Sequence, residues 1–337
     1  MSPQLSPSVP VGEAHLHVLL IGQARWARLI AAGLNEFTDV EADVIAIDRI
    51  RDAFALLSIR RFIRADLLVR VGFRPGAHTT RGVAFDAVVE TMRKFGKTPV
   101  MYYWLGTDVQ NLVRETEAGV NQSRFRRMAE AGTHLADSDS LRKELANLGV
   151  QSTTAWLPAP NAPQEGEVPA APECFTVLSY VPDARYAFYD GPTLIETAKR
   201  MPDTRFRIVG GVGAWASSVP RNVEFLGWRT DLDRVYRGSS VLVRSLEHDS
   251  VGCMVVEALA YGRPVIYSAE FPHTTRVRYG DAEALEVALH DVAANSRGGE
   301  PVPPEVVSWA RRTANPASCY KSIAEAILRA VPRRGGR

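Results

Sequence analysis

Residues 244–264 read Arg-Ser-Leu-Glu-His-Asp-Ser-Val-Gly-Cys-Met-Val-Val-Glu-Ala-Leu-Ala-Tyr-Gly-Arg-Pro. Short β-rich apolar runs flank the stretch at 240–243 and 265–267. Between them a polar loop leads to Gly252, and 253–261 carries a helical pattern that Pro264 stops. Strand, loop, helix and strand in that order form the repeating unit of a parallel α/β sheet. Gly252 stands where the helix begins, and free backbone amides with the positive end of a helix dipole suit a phosphate there. Glu257 is the odd residue, because Val255, Val256, Ala258, Leu259 and Ala260 make the helix apolar around most of its circumference. A carboxylate on a buried helix needs a partner. An internal salt bridge to an arginine would serve, and so would the two hydroxyls of a ribose at a cleft edge. Asp249, eight positions earlier, is on its own an ordinary turn residue; with Gly252, Glu257 and Gly-Arg-Pro it forms a pattern.

The same grammar extends in both directions. In the first half, strands are predicted at 17–21, 42–47, 67–71, 99–103 and 134–136, and the first runs into Gly22. Residues 25–35 have helical spacing, and Asp137 or Ser138 is placed to cap a helix carrying Leu141, Leu145 and Leu148. Residues 158–173 are rich in Pro, Glu and Ala with almost no bulky apolar residue, and read as a linker. The pattern then restarts with strands at 175–180, 206–209, 223–225, 240–243 and 265–267, helices at 192–200 and 232–237, and a Gly210-Gly-Val-Gly213 turn. The predicted fold is α/β, with two Rossmann-like doubly wound parallel sheets facing a cleft at the carboxyl ends of their strands. The domains are 13–157, the linker 158–173, and 174–312. An amphipathic helix within 313–331 closes the chain and is expected to cross back to the first domain.

The bulk composition agrees. At 337 residues the chain suits two domains, and 46% apolar with 23% charged residues is the balance of a globular protein. A net charge of +2 gives no global field for nucleic acid. Cys174, Cys253 and Cys319 are odd in number and form no CxxC pair, which fits a reducing cytoplasm. Residues 1–12 have neither the basic nor the apolar region of a signal peptide, and no apolar run is long enough to span a bilayer.

The stretch from Asp249 to Val265 resembles the donor-binding signature of retaining GT-B glycosyltransferases of the glycosyltransferase 4 type. Their pattern is an acidic residue, seven others, then Glu-Ala-x-Ala-x-Gly-x-Pro-Val. Residues 206–213 and 222–228 are similar to the strands and glycine turn that precede it, and Ala136-Asp-Ser138 to the end of the acceptor domain. The resemblance implies GT-B architecture and a hexosyl transfer from a nucleoside diphosphate sugar to a hydroxyl acceptor, with retained configuration. It also implies roles. Glu257 would hold the ribose, and Asp249, with Ser250, Val251, Gly252 and Cys253, the donor sugar and diphosphate. Gly211, Gly213 and Gly22 would let backbone approach the nucleotide. Glu247 is placed to share the role of Asp249, which is one methylene shorter than the family's Glu. The family also carries Arg, then Lys-Gly, before the first helix of the second domain. Here Arg185 can serve as the arginine, but Tyr189 or Asp190 stands where the lysine belongs. A leaving diphosphate needs positive charge, so Arg185 is expected to act with Arg263, Arg244 or the helix start at Gly252.

On the acceptor side, Tyr102-Tyr-Trp-Leu-Gly-Thr-Asp108 follows a strand and resembles a Trp-x-Gly-Ser/Thr-Asp loop of the superfamily. Trp104 would stack on a sugar, with Thr107, Asp108 and Arg25 near the acceptor; alternatively the aromatic is core and Asp108 caps the next helix. His248 is a candidate donor to the transferred sugar. No metal or other cofactor is expected, on the reading that no His/Asp cluster has ligand spacing and that no Asp-x-Asp motif occurs. The basic segment 49–74, with Arg49, Arg51, Arg60, Arg61, Arg64, Arg70 and Arg74 among apolar residues, suits the inner face of a membrane or a solvated helix face. A sugar-nucleotide epimerase of the same architecture, a phosphorylase and an inactive sugar-nucleotide-binding subunit are the competing classes.

Overall fold

The computed structural model describes residues 16–46, 59–72, 80–120, 122–296 and 302–331. The first half runs β1 (Leu16–Gly22), α1 (Ala24–Phe37), β2 (Val40–Ala46), α2 (Ile59–Arg64), β3 (Leu67–Val71) and α3 (Thr80–Gly96). It continues with β4 (Val100–Trp104), α4 (Thr107–Glu117), α5 (Gln122–Ala131), β5 (Thr133–Ala136), α6 (Asp139–Asn147) and β6 (Thr153–Thr154). These strands make one six-stranded sheet in the order β2-β1-β3-β4-β5-β6, parallel throughout. Val18, Leu19, Leu20 and Ile21 are all fully buried. An unbroken apolar run is what a parallel strand covered on both faces requires.

The second half runs β7 (Thr176–Tyr180), α7 (Gly191–Arg200), β8 (Arg205–Val209), β9 (Val223–Gly227), α8 (Leu232–Arg237) and β10 (Val241–Arg244). Then come α9 (Cys253–Ala260), β11 (Val265–Tyr267), β12 (Thr275–Arg276), α10 (Ala282–Ser296), α11 (Pro304–Ala314) and α12 (Pro316–Ala330). Its parallel sheet has the order β12-β11-β10-β7-β8-β9. The order in which strands are added reverses between β1 and β3 in one sheet and between β7 and β10 in the other, and such switch points open the crevices where ligands bind.

Two features join the halves. Helix α12 lies on α1: a Cβ on Gly33 would sit 1.9 Å from the Tyr320 ring, and the Tyr320 hydroxyl donates to Leu29 O at 3.1 Å. Residues 158–173 are not a free tether, because Ala159 and Ala162 are buried in the core of the second half. Ala170 O and Gly166 O also accept from Arg263 and Arg311.

Parts of the basic segment lie outside the described residues, among them Arg49, Arg51 and Arg74. Within the described part, Arg70 is buried and paired with Asp86 at 2.7 Å, and Phe62 is in the core, so neither belongs to a basic surface. Arg60, Arg61 and Arg64 are exposed. No helix among the described residues is long and apolar enough to cross a membrane.

Candidate functional site

The strand ends of the two sheets enclose a cleft with two connected cavities. One, of about 570 Å³, is lined by Pro160, Asn161, Gly210, Trp228, Leu232, Met254 and Glu257, among others. The other, of about 710 Å³, is lined by Gln23, Thr107, Asn111, Asp137, Arg185 and the loop 249–253, among others. Arg25, Trp26, Tyr180, Tyr189, Arg244 and Cys253 line both, so they form the junction.

Glu257 is 1% exposed and has no arginine partner among the described residues. Its Oε1 accepts from the backbone N and Nδ2 of Asn161 at 3.1 and 3.0 Å, and its Oε2 from the Tyr236 hydroxyl at 2.6 Å. A carboxylate offers about four lone-pair sites, so these three bonds orient it and leave room for another donor. Asn161 lies in the stretch read as a linker and had no sequence signal; it is there because residues 158–162 fold over α9.

The loop between β10 and α9 does two jobs. Asp249 Oδ2 accepts from Arg244 Nε at 2.6 Å and from the Tyr267 hydroxyl at 2.8 Å, while its Oδ1 accepts from Ser250 N at 3.1 Å. Its neighbours fasten the loop to the first domain instead. Glu247 pairs with Arg114 at 3.1 Å, His248 Nε2 lies 2.9 Å from Glu144 Oε2, and Ser250 Oγ donates to Asp137 Oδ2 at 3.0 Å. Glu247 and His248 line neither cavity, so the donor and catalytic roles expected for them are corrected to an inter-domain clasp. Val251, Gly252 and Cys253 do line the cleft, and α9 begins there with no side chain capping it.

Other expectations are corrected too. A Cβ on Gly22 would lie 2.0 Å from Val71 O, so this glycine lets β1 and β3 close up, and it lines neither cavity. In the glycine turn, the Asp183 carboxylate takes the amides of Val212 and Gly213 at 2.9 Å each. A Cβ on Gly211 would clash with Val181 O and Asp183, and one on Gly213 with the Phe225 ring, leaving only Gly210 at the cavity wall. Arg263 is 1% exposed and donates to Tyr236 O, Arg237 O and Ala170 O; it ties the end of α8 to the chain over it, away from the cleft. Burial lowers its pKa to about 10, so it stays charged at neutral pH.

Trp104 is fully buried, with Nε1 donating to His134 Nδ1 at 3.2 Å, and cannot stack on a sugar. Burial lowers the His134 pKa to about 4, which keeps its ring neutral. Asp108 is buried and accepts from the amides of Leu105, Gly106 and Val109, so it organises the start of α4. Thr107 and Arg25 do reach the cleft. Arg185 is exposed on a turn after β7, its guanidinium 3.9 Å from the Phe188 ring centre. Asp190, one of the two residues where the resemblance implies a lysine, is buried and accepts from Ser245 Oγ and Gly280 N.

Sequence reading passed over Asp137 except as a cap. It is 7% exposed at the end of β5 and lines the larger cavity, while the cap is Ser138, which accepts from Leu141 N. Burial raises the Asp137 pKa well above the ordinary carboxyl range, with Asp108 and Asp249 adding to the effect. Two Asp-x-Asp triplets do occur, at 137–139 and 231–233, which corrects the sequence reading that there is none. Asp139 is bonded to Thr154 and Arg142, Asp231 to Arg229, and Asp233 to Arg237 and Tyr261. Among the described residues no group of three or more His, Cys, Asp or Glu could hold a metal.

Comparison with known proteins follows the same outline. Residues 188–295 match the family described as glycosyl transferases group 1. An uncharacterized glycosyltransferase of Methanosarcina acetivorans is 28% identical over 117 residues, covering 34% of this chain and 28% of that protein. A D-inositol 3-phosphate glycosyltransferase of Mycobacterium sp. is 29% identical over 180 residues, covering 49% of this chain and 40% of its own length. The matched stretches thus span well under half of these curated relatives. Among solved structures, Anabaena HepE in complex with UDP and glucose superposes with a TM-score of 0.66 at 12% identity, over 93% of this chain and 100% of that one. Family match and architecture agree: residues 188–295 match the glycosyl transferases group 1, and the two six-stranded parallel sheets have the GT-B architecture.

Proposed function

We propose that the protein transfers a hexosyl unit from a nucleoside diphosphate sugar to a hydroxyl acceptor, with retention of configuration. The observation that carries this reading is the Glu257 carboxylate. It is held by Asn161 and Tyr236 at the wall of a cavity that opens along the α9 N-terminus into a second, more polar one. The first cavity takes the nucleoside. Glu257 accepts from the ribose hydroxyls, and Trp228, 66% exposed at the rim, offers a face for the base. The diphosphate lies at the junction, and the sugar and acceptor occupy the second cavity beside Asp137, Thr107, Asn111 and the loop 249–252.

In the transfer, the bond between the sugar's anomeric carbon and the diphosphate oxygen breaks and its electron pair stays on that oxygen. The acceptor hydroxyl oxygen bonds to the same face of the carbon, and its proton passes to the released diphosphate oxygen. The protein's part is to hold both substrates and to offset the charge that develops on the leaving group. No metal enters this scheme. The relative that resembles this chain over about half its length is named for an inositol phosphate acceptor, and HepE was crystallised with UDP and glucose. Both are compatible with a sugar nucleotide here, and the acceptor remains any hydroxyl compound that fits the second cavity.

Incubation with a panel of nucleotide sugars, with and without saccharide and polyol acceptors, tests the reading through release of nucleoside diphosphate. Acceptor-dependent release is expected, reduced at least tenfold in Glu257→Ala. Isomerised donor without release would identify an epimerase. No nucleotide binding by the wild-type protein, or binding indifferent to Glu257→Ala, would sink the proposal.

A further inference from the structure

The resemblance implies a lysine where this chain has Tyr189 or Asp190, and the structure shows another cation close by. Arg244 ends β10, at the switch point of the second sheet, and lines both cavities. Its side chain is 11% exposed. Nε is engaged by Asp249 at 2.6 Å, and this is the only hydrogen bond of the guanidinium among the described residues. The guanidinium packs against the start of α9: a Cβ on Gly252 would lie 2.1 Å from Arg244 Nε. A side chain at that position would have to displace the guanidinium from this place.

We propose that Arg244 is the diphosphate-binding cation of this protein, fixed by Asp249 and Tyr267 so that its terminal nitrogens and the first amides of α9 converge on one anion. The inference rests on the reading of the cleft as a nucleoside diphosphate sugar site. It also reassigns Asp249 from sugar contact to positioning residue, whose carboxylate is spent on Arg244 and Tyr267.

Charge and geometry favour Arg244 over the other arginines of the cleft. Arg185, Arg25 and Arg28 are exposed, whereas Arg244 is largely buried. An aromatic ring beneath the guanidinium does not separate them, since Arg244 lies 5.8 Å from the Tyr189 ring centre as Arg185 and Arg25 lie over Phe188 and Trp26. Arg229 is paired with Asp231. A charge in open solvent is screened, whereas one in a largely buried wall acts at a lower effective dielectric. Burial opposes the charge on Arg244, but Asp249 and Tyr267 more than offset it and leave the pKa raised, so the guanidinium stays protonated. The Arg244–Asp249 pair is close to neutral as a unit. An entering diphosphate brings the anion that the two terminal nitrogens lack, in the paired geometry that arginine offers to phosphate oxygens.

Titration of the full chain with UDP, GDP, ADP and TDP, and with the parent nucleoside of whichever binds, separates the contribution of the phosphates from that of the nucleoside. In Arg244→Gln the diphosphate should bind at least thirtyfold more weakly while the nucleoside changes less than twofold; Arg244→Lys should recover part of the loss. Arg185→Ala should weaken the diphosphate less than threefold. The double variant Arg244→Gln with Asp249→Asn removes both charges of the pair, so its fold does not carry an unpaired buried carboxylate, and it should show the same selective loss. A wild-type ratio of diphosphate to nucleoside affinity in either variant, or a larger loss in Arg185→Ala, overturns the assignment while leaving the site itself intact. Wild-type protein that binds none of the four diphosphates overturns both the assignment and the functional reading beneath it.

Discussion

Two strand-end loops, 104–108 after β4 and 244–252 after β10, have the same look in the sequence: an apolar strand, then a short polar run with a glycine and an aspartate, then a helix. In the first, the polar groups are largely satisfied from within. Asp108 takes the amides of Leu105, Gly106 and Val109, and Trp104 gives its ring N–H to His134. In the second, the bonds stop short of completion: among the described residues the two terminal nitrogens of Arg244 make no hydrogen bond, and no side chain caps α9 at the cavity wall. A binding loop is marked less by its residue types than by hydrogen-bonding capacity left over when the fold is complete. Arg263, 19 residues beyond Arg244 in the chain, makes the same point within one segment. Both are largely buried, but Arg263 spends its donors on three carbonyls and faces no cavity.

The largest effect that would sharpen this contrast is expected at Trp104. The side chain is completely buried, and its loss would leave a cavity and an unpaired His134 Nδ1. Trp104→Ala should therefore cost about 3–5 kcal/mol of stability, read as a lower midpoint of denaturant unfolding. Nucleotide affinity of the folded fraction should remain as in the wild type. A selective loss of acceptor binding with unchanged stability would restore Trp104 to the substrate site and break the comparison.

The sequence was legible wherever a property is carried by neighbours in the chain. The strands at 67–71 and 265–267 and the helix at 232–237 were read to the residue, because apolar runs and turn residues are local signals. The position of Glu257 at the cleft was also legible, since a carboxylate on an otherwise apolar helix demands a partner. What that partner would be was not, because Asn161 and Tyr236 lie 96 and 21 residues away in the chain. The same limit hid the clasp: nothing near Glu247 or His248 announces Arg114 or Glu144. In the glycine turn the misreading has a different cause. Glycines admit a nucleotide or a close protein neighbour equally well, and here Asp183 and Phe225 fill the space.

Asp108 provides a smaller effect that depends on pH. Burial raises its carboxyl to about 6, against the backbone amides that pull it down. The ordinary value of an unfolded Asp is about 3.9, so the folded protein holds the proton more tightly than the unfolded chain does. For a raised carboxyl, stability is greatest below the unfolded value and declines as pH rises through the folded one. Between pH 7 and pH 4 this group should therefore add about 2–3 kcal/mol on acidification. Asp108→Asn cannot titrate, so subtracting its unfolding free energies from those of the wild type across that range isolates the effect. A flat difference would show that the amides, not burial, govern the group.

The smallest effect is expected in the clasp, and its smallness is informative. Arg114 and Glu247 are 60% and 40% exposed, so their ion pair at 3.1 Å is screened by water and salt. Arg114→Ala should change stability by less than about 1 kcal/mol, with a difference that fades as salt is raised. Glu247 nevertheless sits three residues beyond Arg244 on the loop that carries Asp249. If the loop is held at the cleft chiefly by the buried Arg244–Asp249–Tyr267 contacts, nucleotide affinity in Arg114→Ala stays within about twofold, on the order of 0.4 kcal/mol. A tenfold loss would mean that the exposed clasp, not the buried pair, sets the loop's position. The line between internally satisfied and ligand-facing groups would then run through the domain interface and not along the cavity wall.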